Sequence, residues 1–158
     1  MSGTGHTVKS YEEEMQSLND NLVMMGSLTE NQMADAMAAV IKVDKESVDK
    51  IVKNDGKINE LRSTIDNQIT TVLVKRAPMA VDLRITISTM KISHDLERIG
   101  DLAKSVAKKV KPLPVDLPNE LIGSLRRLGD LVQKQLKDAL DAYLNRSKDK
   151  AIEIWKKD

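Results

Sequence analysis

The segment IVKNDGKINELRSTIDNQITTV, residues 51–72, decides the fold class. Its apolar residues Ile51, Ile58, Ile65 and Val72 recur every seven positions, and this period places them on one face of an α-helix. Most residues between them are polar or charged, so only that face is expected to pack against other parts of the chain. The segment therefore predicts a bundle of amphipathic helices.

Two more helices are predicted on either side of this segment. Apolar residues at spacings of three and four run through residues 11–43, and Ser10 with Glu13 is typical of an N-terminal capping box. Asp44 is expected to cap the second helix, which should run to about Lys75.

A third helix is predicted to begin at Pro78, because proline fits the first turn of a helix. Three such helices joined by short turns predict an all-α, antiparallel three-helix bundle over residues 11–110, after a flexible N-terminus at residues 1–10. The inner face of the third helix is predicted to consist of Ile85, Ile92, Leu96, Ile99, Ala103, Val106 and Val110.

The end of the chain repeats its beginning. Residues 111–118, KPLPVDLP, hold three of the four prolines and are predicted to form a linker. Shifted by 103 residues, segment 22–55 aligns with segment 125–158 without a gap, and 11 of the 34 positions are identical. Residues 119–158 are therefore predicted to be an incomplete second copy of the bundle. The repeat length predicts a chain truncated by roughly 60 residues, whose open faces would favour a homodimer.

Composition excludes several classes of function. The 25 basic and 24 acidic residues nearly balance, so nucleic acid is not expected as a partner. The chain has no cysteine, which removes zinc–thiolate sites, disulfides and thiol nucleophiles. No apolar run approaches the about 20 residues of a membrane span, and the N-terminus lacks an apolar signal segment. A cytoplasmic protein is therefore expected.

Sequence motifs for catalysis are missing. The chain contains no P-loop, no dinucleotide-binding glycine pattern and no Gly-x-Ser-x-Gly elbow. A ferritin-like di-iron enzyme would need two Glu-x-x-His motifs that face inward, and the sequence has none. We therefore expect a protein that is not an enzyme.

The segment KISHDLERIGDLAKSVAKK, residues 91–109, carries the one polar pattern that points to a ligand. At about 100 degrees per residue, His94, Glu97 and Asp101 fall close together, roughly opposite Ile99 on the predicted inner face. Two carboxylates four residues apart repel each other, and a bound cation would relieve that repulsion. The spacing is thus compatible with a metal site on the outward face of the third helix.

A simpler interpretation remains open at this point. Acidic pairs four residues apart are common on solvated helices, and Arg98 and Lys104 are near enough in sequence to compensate the acids. An ion network that fixes the register of the second and third helices is also predicted, from Asp55, Arg62, Asp66, Asp95 and Arg98.

Three segments resemble the PhoU family of bacterial phosphate-signalling regulators. They are HTVKSYEEEMQSL at residues 6–18, KRAPMAVDLR at 75–84 and, most specifically, KISHDLERIGDLAKSVAK at 91–108. The resemblance implies two copies of a three-helix bundle, each with an acidic E(D)-x-x-x-D motif near the end of its third helix. It therefore agrees with the repeat.

The resemblance also implies metal ligands. Glu97 and Asp101 match the metal-ligating carboxylates of the family motif, Asp95 is a further acid of that motif, and Asp55 matches an acidic position near the start of the second helix. His94 is added to this set only because it aligns with the two acids. Iron, zinc, magnesium and manganese are the ions that the resemblance implies.

A regulatory function follows from the same resemblance. It implies a cytoplasmic negative regulator of the phosphate-starvation response. The regulator would act as an adaptor between the ATPase subunit of a phosphate ABC transporter and a sensor histidine kinase, and would reach the membrane only through these partners. Two other interpretations of the helical pattern stay open: an iron-binding bundle that is an enzyme or a storage-type protein, and a structural scaffold without metal.

Overall fold

The computed structural model describes residues 3–157, with side chains described from Lys9 onward. The described residues form helices and contain no strand, so the all-α prediction is confirmed. None of these helices is long and apolar enough to cross a membrane. The helices are α1 (Gly3–Lys42), α2 (Ser47–Arg76), α3 (Ala80–Lys108), α4 (Asn119–Leu144) and α5 (Lys148–Trp155).

The start of α1 differs from the prediction. The helix begins at Gly3, and Met1 and Ser2 lie outside the described residues. Residues 3–10 are thus helical where the sequence favoured a flexible start. Ser10 lies inside the helix, where backbone N–H groups already have carbonyl partners, so the predicted capping box is wrong. The Ser10 hydroxyl accepts a hydrogen bond from Arg76 Nη2 at 2.7 Å instead.

The predicted connections agree better with the structure. The Asp44 side chain caps α2, because its Oδ1 accepts from the backbone N–H groups of Glu46 at 3.1 Å and Ser47 at 3.2 Å. The predicted linker, residues 111–118, lies between the last residue of α3 and the first residue of α4.

Two compact units make up the chain, and α1, α2 and α3 each contribute to both of them. The first unit contains the residues up to Thr29 together with Gly56–Gly100. The second contains Glu30–Asp55 and the residues from Asp101 onward.

The core of the first unit is aliphatic on α1 and α2. Ile58, Ile65 and Val72 of α2 are at most 1% exposed, which confirms the seven-residue pattern in this unit. They share the core with Leu18, Leu22 and Met25 of α1, which are equally inaccessible.

The buried face of α3 is rotated from the predicted one. In the first unit it consists of Thr86, Thr89, Ser93 and Leu96, of which only Leu96 belongs to the predicted stripe. The predicted isoleucines Ile85, Ile92 and Ile99 are half-buried. The hydroxyl groups of Thr86 and Ser93 donate to carbonyl oxygens in the preceding turn of α3, both at 2.8 Å. Because these hydroxyls are satisfied within the helix, small polar residues can line an apolar core.

The second unit joins α4 to the ends of the three long helices. Leu125 of α4 packs against its core, and Gly129 is buried beside α1. A Cβ atom on Gly129 would lie only 2.8 Å from Met37 Cε and 3.2 Å from Met37 Cγ, so the missing side chain permits this approach. The buried residues of this core are Ala36, Ala39, Val40, Val48, Ile51, Ala103, Ala107 and Val110.

We predict that Ile65→Ala lowers the free energy of unfolding by about 2–5 kcal/mol, because it removes a side chain that is 0% exposed and leaves a cavity. Val74→Ala on the same helix is the matched control, since Val74 is 79% exposed, and a change within about 0.5 kcal/mol is expected for it. Urea unfolding followed by circular dichroism measures both. Equal effects of the two substitutions would contradict the α2 register.

Candidate functional site

The acidic motif of α3 does not lie on the face predicted for it. His94 and Asp95 are exposed, whereas Glu97 and Asp101 are half-buried and therefore less accessible than an outward-facing position would be. The buried face runs through Ser93, and a residue four positions later in a helix lies about 40 degrees away. Glu97 therefore borders the buried face, and the predicted placement opposite the core is wrong.

His94 belongs to a cluster with two residues of α2 in the first unit. Its Nε2 lies 3.3 Å from Asp66 Oδ1 and 3.3 Å from Arg62 Nη2, and Arg62 Nη2 lies 3.6 Å from Asp66 Oδ2. A protonated Nε2 donates to Asp66, whereas an unprotonated one accepts from Arg62. All three side chains are more than a third exposed, so their pairing stabilises the fold by at most about 1 kcal/mol.

Asp55 is the buried acid of the second unit. Its side chain is 5% exposed and occupies one of the regular inward positions of α2, between Ile51 and Ile58. Gln32 Nε2 of α1 donates to Asp55 Oδ1 at 2.8 Å, and Lys104 Nζ of α3 donates to Asp55 Oδ2 at 2.5 Å. Three helices thus meet at one carboxylate.

Lys104 bridges Asp55 and Asp101. Its Nζ lies 2.5 Å from Asp55 Oδ2 and 2.5 Å from Asp101 Oδ1. The hydrogen bonds to Asp101 and then to Asp55 raise the pKa of the Lys104 ammonium above its usual value, because both partners favour the charged form. The Lys104 side chain is 22% exposed and that of Asp101 is 46% exposed, so solvent reaches the bridge from the Asp101 side.

The five predicted metal ligands are divided between the two units, with His94, Asp95 and Glu97 in the first and Asp55 and Asp101 in the second. Two of them, Asp55 and Asp101, come together in the second unit, and they hold an ammonium group between them. In the part of the chain that the structure describes, no three His, Asp or Glu side chains are grouped so that they could hold a metal ion. In this arrangement the residues do not fit a resident metal.

Gln32 and Lys104 are central to the site, yet only Lys104 drew attention in the sequence, as a residue able to compensate the acids. Gln32 sits in the apolar stripe of α1 and Asp55 in that of α2, where a polar residue needs a partner. The sequence signal for this contact was one polar residue in the apolar stripe of each of the two helices, at corresponding levels of the predicted bundle. The predicted register-fixing network forms in part, with Arg62 and Asp66 paired to His94.

A second ion pair ties α1 to the end of α2 within the first unit. Arg76 donates through Nε to Glu14 Oε2 at 3.0 Å and through Nη2 to Glu14 Oε1 at 2.8 Å. This two-point contact favours the carboxylate, so the hydrogen bonds from Arg76 lower the pKa of Glu14 below its usual value of 4.5.

Comparison with known proteins assigns the chain to a family. A family model described as "PhoU domain" matches residues 22–110, which is more than half of the chain. The chain belongs to the PhoU family. The resemblance seen in the three sequence segments is thereby confirmed.

Members of the PhoU family match this chain over nearly its whole length. The phosphate-specific transport system accessory protein PhoU homolog of Caulobacter vibrioides is 40% identical over 156 residues, which are 98% of this chain and 68% of that protein. The crystal structure of PhoU from Pseudomonas aeruginosa aligns with a TM-score of 0.81 and 34% identity, over 90% of this chain and 69% of that one. PhoU from Streptococcus pneumoniae, a phosphate transport system regulatory protein, aligns with a TM-score of 0.84 and 32% identity, over 93% and 69%.

We predict that Asp55→Ala destabilises the protein by about 3 kcal/mol, because removing one partner of a buried pair leaves the other polar groups without compensation. Asp49→Ala is the matched control on α2. Asp49 pairs with Lys111 but is 81% exposed, so its loss should change stability by less than about 1 kcal/mol. Urea unfolding curves measure the free energy of unfolding of both variants. An equal decrease in both would contradict a structural role for Asp55.

We also predict a pH-dependent contribution from the Glu14–Arg76 pair. Because the pKa of Glu14 is lowered in the folded state, its contribution is fully present above 4.5, the usual value, and is lost as the pH falls through the lowered pKa. The stability gap between the wild type and Glu14→Gln should therefore close on acidification. Thermal unfolding as a function of pH measures this gap. Glu13→Gln, at the neighbouring exposed position, is the charge-matched control, and a gap for Glu14→Gln that does not change with pH would contradict the prediction.

Proposed function

We propose that this chain is an accessory regulator of a phosphate-specific transport system. The observation that carries the proposal is the extent of the likeness to proteins with that description. The relative from Caulobacter vibrioides matches 98% of the chain at 40% identity, so the likeness extends into residues 119–158 as well as over the first bundle.

The finer part of the proposal concerns how such a regulator acts. We propose a cytoplasmic adaptor that contacts the ATPase subunit of a phosphate ABC transporter and a sensor histidine kinase, and keeps the kinase from activating the starvation response while phosphate is plentiful. It would reach the membrane only through these partners and would act as a homodimer. The ion pair of Lys104 with the buried Asp55 supports this proposal, because a fixed helix register holds surface residues in constant positions for a partner.

The metal remains a separate prediction from the sequence. The sequence predicts iron, zinc, magnesium or manganese at Glu97, Asp101, Asp95, His94 and Asp55, and elemental analysis of protein purified without an affinity tag tests that prediction. Regulation does not depend on this prediction. Glu97 and Asp101, which we call the acidic border of α3, can also contact a basic surface of a partner.

The regulatory function is tested in a bacterium whose own PhoU-family protein has been deleted. Expression of this chain should restore repression of a phosphate-starvation promoter at high phosphate. Purified chain should capture the transporter ATPase subunit and the sensor kinase in a pulldown. A promoter that stays active despite a normal level of folded protein would overturn the regulatory proposal, and failure of both captures would overturn the adaptor mechanism.

In the same strain we predict that Glu97→Ala combined with Asp101→Ala weakens repression while the protein remains folded. Both side chains are only half-buried, so the loss of stability should be modest. Glu120→Ala with Asp130→Ala is the matched control, since it removes two exposed acids of α4 and changes the net charge equally. If both double variants repress equally well, the acidic border of α3 has no regulatory role.

A further inference from the structure

The turn between α2 and α3 exposes three large apolar side chains. Helix α2 ends at Arg76 and α3 begins at Ala80, so the turn lies within the first unit. Val74 is 79% exposed, Met79 is 81% exposed and Val81 is 64% exposed. One exposed apolar residue is ordinary, whereas several close together in sequence at one end of a helix pair indicate a contact surface. We call these three residues the apolar tip.

The backbone of the turn has an uncommon conformation. Ala77 has a φ of 43° and Ala80 a φ of 51°, in the left-handed region that residues with a Cβ atom rarely occupy. The backbone N–H of Asp82 donates to the carbonyl oxygen of Met79 at 3.2 Å, so a hydrogen bond closes the turn. Strained residues persist only where the surrounding structure requires them. The turn is therefore held in one conformation.

Arg76 fixes the position of the turn on α1. Its guanidinium donates two hydrogen bonds to Glu14, at 3.0 and 2.8 Å, and a third to the Ser10 hydroxyl at 2.7 Å. Ala77, the first residue of the turn, follows Arg76 directly. Because the turn is ordered before a partner arrives, little conformational entropy is lost when the apolar tip binds.

The exposed charged residues of segment 73–84 are both basic. They are Lys75 and Arg84. Arg76 is half-buried, and Asp82, the one acid of this segment, is half-buried as well. A surface that matches the apolar tip would therefore carry carboxylates around an apolar depression.

We propose that the apolar tip docks into an apolar groove with an acidic rim on a partner protein. It rests on the regulatory function proposed above, because it names a surface through which the regulator contacts a partner. Val74, Met79 and Val81 enter the groove. Lys75 and Arg84 pair with the carboxylates of its rim.

A protein groove fits the apolar tip better than a lipid surface does. Three aliphatic side chains and two cations form a small, weakly basic patch, and stable membrane attachment needs a larger apolar area or a polybasic segment. A groove covers an apolar side chain on several sides, and the acids of its rim set the orientation of the complex.

The test uses photocrosslinking in the deletion strain described above. Benzoylphenylalanine is placed at Met79 or, as a control, at Val115, which is 79% exposed in the linker. Ultraviolet light should join position 79, but not position 115, to a partner protein. Mass spectrometry of the joined peptide should find apolar residues close to Asp or Glu.

Charge reversal tests the acidic rim. Lys75→Glu with Arg84→Glu should reduce the adduct from position 79 at least about tenfold, because groups that attracted the carboxylates of the rim then repel them. Lys57→Glu with Lys91→Glu is the matched control, since it reverses two exposed cations of α2 and α3 in the same unit. Its adduct should be as strong as without the reversals. Circular dichroism checks that all variants are folded.

Four outcomes would overturn the inference. They are no adduct at position 79, equal adducts at positions 79 and 115, an adduct with phospholipid in place of protein, and an adduct that the two pairs of charge reversals affect equally. The comparison of the two positions needs no charge reversal, so it decides the matter even if a reversed variant does not fold.

The pulldown of the transporter ATPase subunit and the sensor kinase decides the adaptor mechanism separately. If the wild type captures both and Met79→Glu with Val81→Glu captures them equally well, the inference fails and the adaptor mechanism stands. If neither is captured and the adduct joins the apolar tip to an acid-rimmed groove of another protein, the adaptor mechanism fails and the inference stands.

Discussion

The carboxylate of Asp55 is the constraint on which the arrangement of the second unit depends. It is nearly inaccessible to solvent and is bonded from α1 by Gln32 and from α3 by Lys104. A buried charge without partners destabilises a fold by several kcal/mol. A helix that slid or rotated would separate Asp55 from its partners and lose that amount of stability. The hydrogen bonds to Asp55 thus favour the observed register of α1, α2 and α3 in the second unit.

Helical periodicity correctly predicted helices, and the buried face of α2, where large apolar residues form the core. It found α1, α2 and α3, and it found the buried face of α2, because Ile58, Ile65 and Val72 leave no ambiguity about which side faces inward. The predicted buried face of α3 was wrong in the first unit, where Thr86 and Ser93 are buried in place of isoleucines. Their hydroxyls are satisfied inside the helix, so they behave as small apolar groups that no hydropathy scale recognises as such.

Two carboxylates of the candidate site were predictable from the sequence, whereas Gln32 and the arrangement of the site were not. Spacing and family resemblance pointed to Asp55 and Asp101, and both lie at the same ammonium group. Spacing placed Lys104 near Asp101, but its contact with Asp55 of α2 could not follow from spacing, because that contact depends on the rotation of α3 about its axis. The same rotation moved Glu97 from the expected outward face to the border of the core. One error in helix orientation therefore accounts for both differences.

The internal repeat offers a comparison within a single chain. Met25 and Thr29 in the first copy are both 0% exposed, whereas their counterparts in the second copy, Leu128 and Val132, are 57% and 42% exposed. The two copies share their glycine, several identities and the spacing of their apolar positions. Similar spacing of apolar residues thus accompanies a buried face in α1 and a more exposed face in α4. A sequence pattern specifies which face of a helix is able to be covered, while the neighbouring helix decides whether it is.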